Sequence, residues 1–260
     1  MKDFAIGIIG GTGGIGKWFA DFFTAEGHRV HVSGRSEGMS LPELAAACRI
    51  VIVAVPIAST IDVIREVGPF LPEEALLMDL TSLKEKPVRE MLAATKAEVI
   101  GCHPLFGPDV PSMNGQNIVL CPARGGAWLG FLQGIFVKNG ARITVTAPAE
   151  HDRMMALIQG LTHLDTILTG LALRDSGVEP SELEAFSTPV FRTKRAIAGK
   201  VFGPRPGLYA ALLAENPNMP ALLEIFERNF LMVKEMILQE NVTGLEVLLT
   251  RAPDGEKPRS

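Results

Sequence analysis

Cysteine is scarce in this chain. Cys48, Cys102 and Cys121 are odd in number and widely spaced, which excludes a disulfide scaffold and a paired-thiolate zinc site and implies a reducing compartment. No dense basic run is present, and the net charge of -4 argues against a nucleic-acid surface. The five histidines lack metal-ligand spacing; His28 and His31 only flank a strand, so no metal is expected. Lys2 is followed by Asp3, and the first apolar run is soon broken by glycines, so neither a signal peptide nor a membrane span is expected. There is no internal repeat and no low-complexity segment. These absences leave a cytoplasmic globular protein whose partners are small molecules and copies of itself. With 47% hydrophobic residues among 260, the chain can bury the core of one large or two ordinary domains.

What the chain does have is a glycine-rich turn. Gly11-Thr12-Gly13-Gly14-Ile15-Gly16 lies between the apolar run Phe4 to Ile9 and the amphipathic stretch Lys17 to Phe23. At a strand-to-helix junction such glycines permit a tight turn, close approach of a pyrophosphate and close helix packing, and the helix N-terminus attracts the anion. Gly11 to Lys17 also reads as the start of a P-loop, but Trp18 stands where that motif needs a magnesium-binding hydroxyl.

Further short apolar runs at residues 29–32, 50–55, 75–79, 98–101, 118–120 and 142–145 alternate with helical patterns. That rhythm predicts an α/β fold, a Rossmann-type, mainly parallel sheet with helices on both faces. Ligands then lie beyond the strands' carboxyl ends, here the glycine turn, Ser33-Gly34-Arg35, Val55-Pro56, Asp79 to Ser82, and Cys102-His103-Pro104. After Pro148 the pattern becomes all-helical, with helices over 150–173, 180–202, 207–213 and 220–238. The expected organisation is a dinucleotide-binding domain over 1–148, a helical substrate and dimerisation domain over 149–250, and a loose polar tail over 251–260. Leu222, Leu223, Phe226, Phe230, Leu231 and Met236 make the 220–238 helix apolar around much of its circumference, a pattern that suggests a homodimer.

No carboxylate stands at the end of the second strand, where NAD-binding sheets usually hold the ribose diol. Arg35, flanked by Ser33 and Ser36, suits a 2'-phosphate, so NADP is expected over NAD. His103 sits in the Pro- and Gly-constrained segment Gly101 to Asp109, at a strand end facing the crevice, where an imidazole can handle a proton. Cys102 adjoins it, but neighbours in extended chain point to opposite faces, which excludes a thiolate–imidazole pair.

Several ordered segments resemble the prephenate and arogenate dehydrogenases. They are Ile9 to Ala20, Val51 to Ile57, Asp79-Leu80-Thr81-Ser82-Leu83-Lys84, His103-Pro104-Leu105-Phe106-Gly107-Pro108, Glu150-His151-Asp152, Gln159-Gly160-Leu161-Thr162-His163 and Ser187 to Phe191. The resemblance implies oxidative decarboxylation of prephenate to 4-hydroxyphenylpyruvate in tyrosine biosynthesis, with arogenate or 4-amino-4-deoxyprephenate as the alternative substrate. It makes His103 the catalytic histidine, Ser82 the hydroxyl that supports the same substrate group, and His163 a substrate-binding histidine. Val55 and Pro56 join the glycine turn in holding the cofactor. Ser82 can also serve as a helix N-cap, Lys84 reads as a solvated first-turn lysine, and His151 is assigned to a helix start rather than the site. Lys200 stands where many members carry a carboxylate-binding arginine, and it keeps the charge without the two-pronged grip. Arg192, about 80° from Lys200 around a helix, is a possible helper; Arg195, about 140° away, is a poorer one. Asp165 lies about 200° from His163 and faces away from it. A non-catalytic NADP-sensing module is the remaining reading, against which the presence of both Ser82 and His103 weighs.

Overall fold

Apolar runs too short for helices and bounded by turn residues pair here into one seven-stranded sheet. The computed structural model describes residues 4–35, 37–203 and 206–250. The strands are β1 (Ala5–Ile9), β2 (Arg29–Ser33), β3 (Ile50–Val53), β4 (Leu76–Asp79), β5 (Glu98–Pro104), β6 (Asn117–Arg124) and β7 (Arg142–Val145), in the order β2-β1-β3-β4-β5-β6-β7. Every pair is parallel except β5 with β6. The order reverses between β1 and β3, the switch point at which open α/β sheets bind ligands.

Both faces of the sheet are covered, which is why its central strands read as continuous apolar runs. On one face Ile6, Ile8, Ile52 and Met78 pack under α1 (Gly14–Ala25) and α5 (Ala127–Lys138) through Phe19, Phe23, Leu132 and Phe136. On the other, Val51, Val53, Leu77 and Val99 meet α2 (Leu41–Ala47), α3 (Ile57–Val67) and α4 (Glu85–Ala94) through Leu44, Ile64, Val88 and Met91. Cys102 belongs to the first face. The pleat therefore sends its neighbour His103 to the second, beside α4.

The helical part begins with α6 (Pro148–Met155), which runs through a π-helical turn, Ala156–Gly160, into α7 (Leu161–Asp175). By length and composition alone this continuous run could cross a membrane, a property that core helices of soluble proteins share. The helix expected over 180–202 is two helices, α8 (Pro180–Ala185) and α9 (Pro189–Val201). Pro189 disfavours helical backbone at Thr188, which instead caps α9 by accepting from Phe191 N. Next come α10 (Pro206–Ala214), α11 (Met219–Leu238) and α12 (Val242–Leu249). The last was not foreseen; Asn241 caps it through Gly244 N. The chain divides into compact units Met1–Asn216 and Pro217–Ser260, so α6 to α10 share a unit with the sheet. The tail expected over 251–260 lies outside the described residues.

Candidate active site

The turn after β1 is shaped by contacts that only glycine allows. Gly10 has φ +83°, and a Cβ there would lie 2.5 Å from the Ala54 carbonyl oxygen and 3.2 Å from Val55 Cγ1. A Cβ on Gly16 would meet the Gly10 carbonyl oxygen at 2.3 Å, and one on Gly11 would meet Val32 Cγ1 at 2.7 Å. Nothing stands in front of Gly13 or Gly14. Gly13 caps α1 without a side-chain hydrogen bond, leaving the helix's first N–H groups directed at open space. Tight backbone behind and free N–H groups in front fit a dinucleotide pyrophosphate. Gly10 was missed in the sequence because it precedes the G-x-G-x-x-G spacing. Ile15 packs into the core, Thr12 sits against Gly34, and Pro56 is the N-cap residue of α3. At the end of β2, Ser33 is buried and Arg35 is exposed. Ser36 lies outside the described residues.

At the carboxyl end of β5 the His103 side chain is buried, and its Nδ1 lies 2.9 Å from Nε2 of His151 on α6. His151 Nδ1 lies 2.7 Å from Asp152 Oδ1. The Asp152 carboxylate also accepts from the backbone N–H groups of Lys84 at 2.8 Å and Glu85 at 2.9 Å, so α4 is capped by a residue of another helix. Asn216 donates to the Asp152 carbonyl at 2.8 Å. This overturns two expectations. His151 begins a helix and also contacts His103, whereas the cap of α4 comes from Asp152 and not from Ser82. Ser82 is half-buried after β4, the strand hydrogen-bonded to β5.

Lys84 is corrected as well: far from solvated, it is fully buried. Its ammonium pairs with Asp79, which also accepts from the Thr81 hydroxyl, and it donates to the Cys102 carbonyl at 3.0 Å. Its stem passes over Gly101, where a Cβ would lie 2.9 Å from Lys84 Cδ. A glycine on β5 thus makes room for a lysine of another element. Burial first, then the electrostatic influence of its neighbours His151 and Lys84, holds the His103 pKa well below the ordinary histidine value. A neutral imidazole at neutral pH follows. Burial also raises the Cys102 thiol far above its usual range, which removes it as a nucleophile.

His163 is half-buried on α7, with its ring edge-on to Tyr209 at 4.9 Å, and burial lowers its pKa. Arg192 and Arg195 are both engaged by Glu184, at 3.1 and 3.0 Å. Exposed Lys200 has no ion-pair partner among the described residues, and Asp165 faces Lys194 at 3.6 Å. Among the described residues no hydrogen bond or ion pair links His163, Arg192 or Lys200 to His103. A cavity of about 440 Å³ is lined by Gly170, Arg174, Leu183, Arg195 and Phe202; of the residues weighed for the site, it holds only Arg195.

Comparison with known proteins bears on this arrangement. The model of the prephenate dehydrogenase nucleotide-binding domain matches residues 26–145, and that of the prephenate dehydrogenase dimerization domain matches residues 147–251. A probable arogenate/prephenate dehydrogenase of Methanocaldococcus jannaschii is 35% identical over 266 residues, covering 95% of this chain and 60% of that protein. The T-protein of Enterobacter agglomerans is 36% identical over 224 residues, covering 86% of this chain and 60% of that protein. The chain thus spans about 60% of the length of these relatives. A crystal structure of prephenate dehydrogenase from A. aeolicus, in complex with hydroxyphenyl propionate and NAD+, has the same fold, with TM-score 0.75, 18% identity and 96% of each chain covered. Two adjoining family models that together span most of the sequence, on a fold with the glycine turn and His103 at the carboxyl edge of one sheet, show that this chain belongs to the prephenate dehydrogenase family.

Proposed function

We propose that this chain is a cytoplasmic, homodimeric, NADP-preferring prephenate dehydrogenase that converts prephenate to 4-hydroxyphenylpyruvate. The observation that carries the reading is His103, buried and neutral at the carboxyl edge of a parallel sheet whose switch point fits a dinucleotide. Bound nicotinamide supplies a hydride acceptor; the protein's work is to align the substrate and manage one proton. As hydride leaves the carbon bearing the ring hydroxyl, the O–H proton passes to His103 and a ring carbonyl forms. The carboxylate carbon–carbon bond then breaks, its electrons make the ring aromatic, and His103 returns the proton to the phenolic oxygen. No net proton is released, so a base that holds one briefly suffices. Ser82 supports the hydroxyl from the end of β4, and His163 with Lys200, helped by Arg192, binds the remainder of the substrate.

Val55 and Pro56 border the glycine turn Gly11 to Gly16 and complete the cofactor cradle. The preference for NADP rests on Arg35, which is exposed after the end of β2 with no ion-pair partner among the described residues and is flanked in sequence by Ser33 and Ser36, and on the missing strand-end carboxylate. The A. aeolicus enzyme was crystallised with NAD+. Three free, buried cysteines fit a cytoplasmic protein. Apolar side chains exposed on one copy, Phe230, Leu231, Ile237 and Leu238 among them, fit a dimer built through the region matched by the dimerization-domain model. Lys200 in place of a two-pronged arginine favours one second reading, an arogenate or 4-amino-4-deoxyprephenate dehydrogenase.

The test is cofactor reduction by purified protein with prephenate or arogenate, each with NADP and NAD. Reduction with prephenate and NADP, release of carbon dioxide, and a shift toward NAD in Arg35→Asp are expected. Turnover of arogenate alone would move the assignment to the second reading, and an unchanged cofactor ratio in Arg35→Asp would remove Arg35 from the argument.

A further inference from the structure

The direction of every hydrogen bond in the His103 cluster follows from Asp152. An ionised carboxylate only accepts, and this one takes two backbone N–H groups at the N-terminus of α4. His151 Nδ1, 2.7 Å away, therefore carries the hydrogen. A neutral imidazole has one N–H, so His151 Nε2 is a lone pair, and His103 Nδ1 at 2.9 Å must donate to it. His103 Nε2 is left as the lone pair. The competing arrangement, an imidazolium at His151, reverses the second bond and places the proton on His103 Nε2, where it blocks acceptance. Both rings are buried, and an added charge there is costly.

We propose that Asp152 and His151 are positioning residues that hold His103 in its Nδ1–H tautomer, leaving Nε2 as the acceptor of the substrate's hydroxyl proton. This rests on the prephenate reading above. When the proton arrives, both His103 nitrogens carry hydrogen, yet no existing bond changes direction. Nδ1–H still donates to His151, His151 still donates to Asp152, and the carboxylate offsets the new charge through the chain. The proton remains on Nε2, from which it can return to the phenolic oxygen. Asn216 and the capped end of α4 fix the Asp152 backbone and carboxylate, so the orientation is set before substrate binds.

Nitrogen NMR of the whole protein with 15N-labelled histidine reads the tautomer directly, with His103 assigned by the signal lost in His103→Asn. The wild type should show hydrogen on Nδ1 and a bare Nε2. His151→Gln, whose amide oxygen can accept from Nδ1–H, should keep that tautomer and much of kcat. His151→Leu should lose it and lower kcat roughly 100-fold with KM for prephenate unchanged. A wild-type His103 protonated on Nε2 overturns the proposal even if the Leu variant fails to fold. So does a Leu variant with wild-type kcat, or one altered in KM alone. If the protein turns over neither prephenate nor arogenate, the functional reading fails on its own, while the tautomer measurement still decides the positioning claim.

Discussion

Two buried ionisable side chains dominate at the scale of single residues, and each has a measurable consequence. His103 must be neutral to accept a proton, and burial with neighbouring positive charge depresses its pKa well below 6.5. The sign is therefore fixed: kcat/KM stays level as pH falls from neutrality past the ordinary histidine range and drops only at more acid pH, a profile that steady-state rates across pH record. An acid limb at or above the unperturbed value would contradict this environment. Lys84 and Asp79 form a fully buried pair. Lys84→Met leaves the carboxylate uncompensated and should cost about 3–5 kcal/mol of stability, read by urea unfolding, with recovery in Lys84→Met/Asp79→Leu. The sequence made His103 legible because its strand end and rigid loop are local signals. It hid Lys84, because a lysine in a helix's first turn is normally solvated, and what buries this one is the missing Cβ of Gly101 on a separate strand. His151 was hidden for a similar reason, since its partner lies 48 residues away.

At the scale of elements, the β1–α1 unit was readable from glycines framed by an apolar run and an amphipathic stretch. The structure adds that those glycines do different work. Gly16 faces the Gly10 carbonyl, whereas Gly13 faces open space. Gly16→Ala should push α1 off β1, lowering stability by about 1–3 kcal/mol as well as cofactor affinity. Gly13→Ala should leave thermal stability nearly intact while weakening cofactor binding, because its added methyl group occupies the pyrophosphate's approach. Calorimetry of unfolding and cofactor titration separate the two; equal behaviour of both variants would contradict the assignment. Strand positions followed from apolar periodicity. The break between α8 and α9 did not, although Thr188-Pro189 is a local cap signal that a single long helical pattern concealed. The cap on α4 was beyond any local reading, since Asp152 supplies it from α6.

For the molecule as a whole, the sheet brings the ends of β1, β3, β4 and β5 to one edge, and α6 closes over the last of them, with His151 bonded to His103 and Asp152 accepting from the N–H groups that open α4. The α/β class and the switch to helices after Pro148 were legible because they rest on periodicity summed over many residues. The substrate choice was not, because Lys200, Arg192 and His163 have no hydrogen bond or ion pair to His103 among the described residues. On the proposed reading, this fold oxidises prephenate through the buried imidazole of His103. The most direct measurement is the rate of cofactor reduction with saturating prephenate and NADP, wild type against His103→Asn, with folding of both checked by circular dichroism. The account predicts turnover by the wild type and a loss of roughly 100- to 10,000-fold in the variant, with cofactor affinity retained. A folded variant that turns over at the wild-type rate, or a wild type inert toward prephenate, would contradict it.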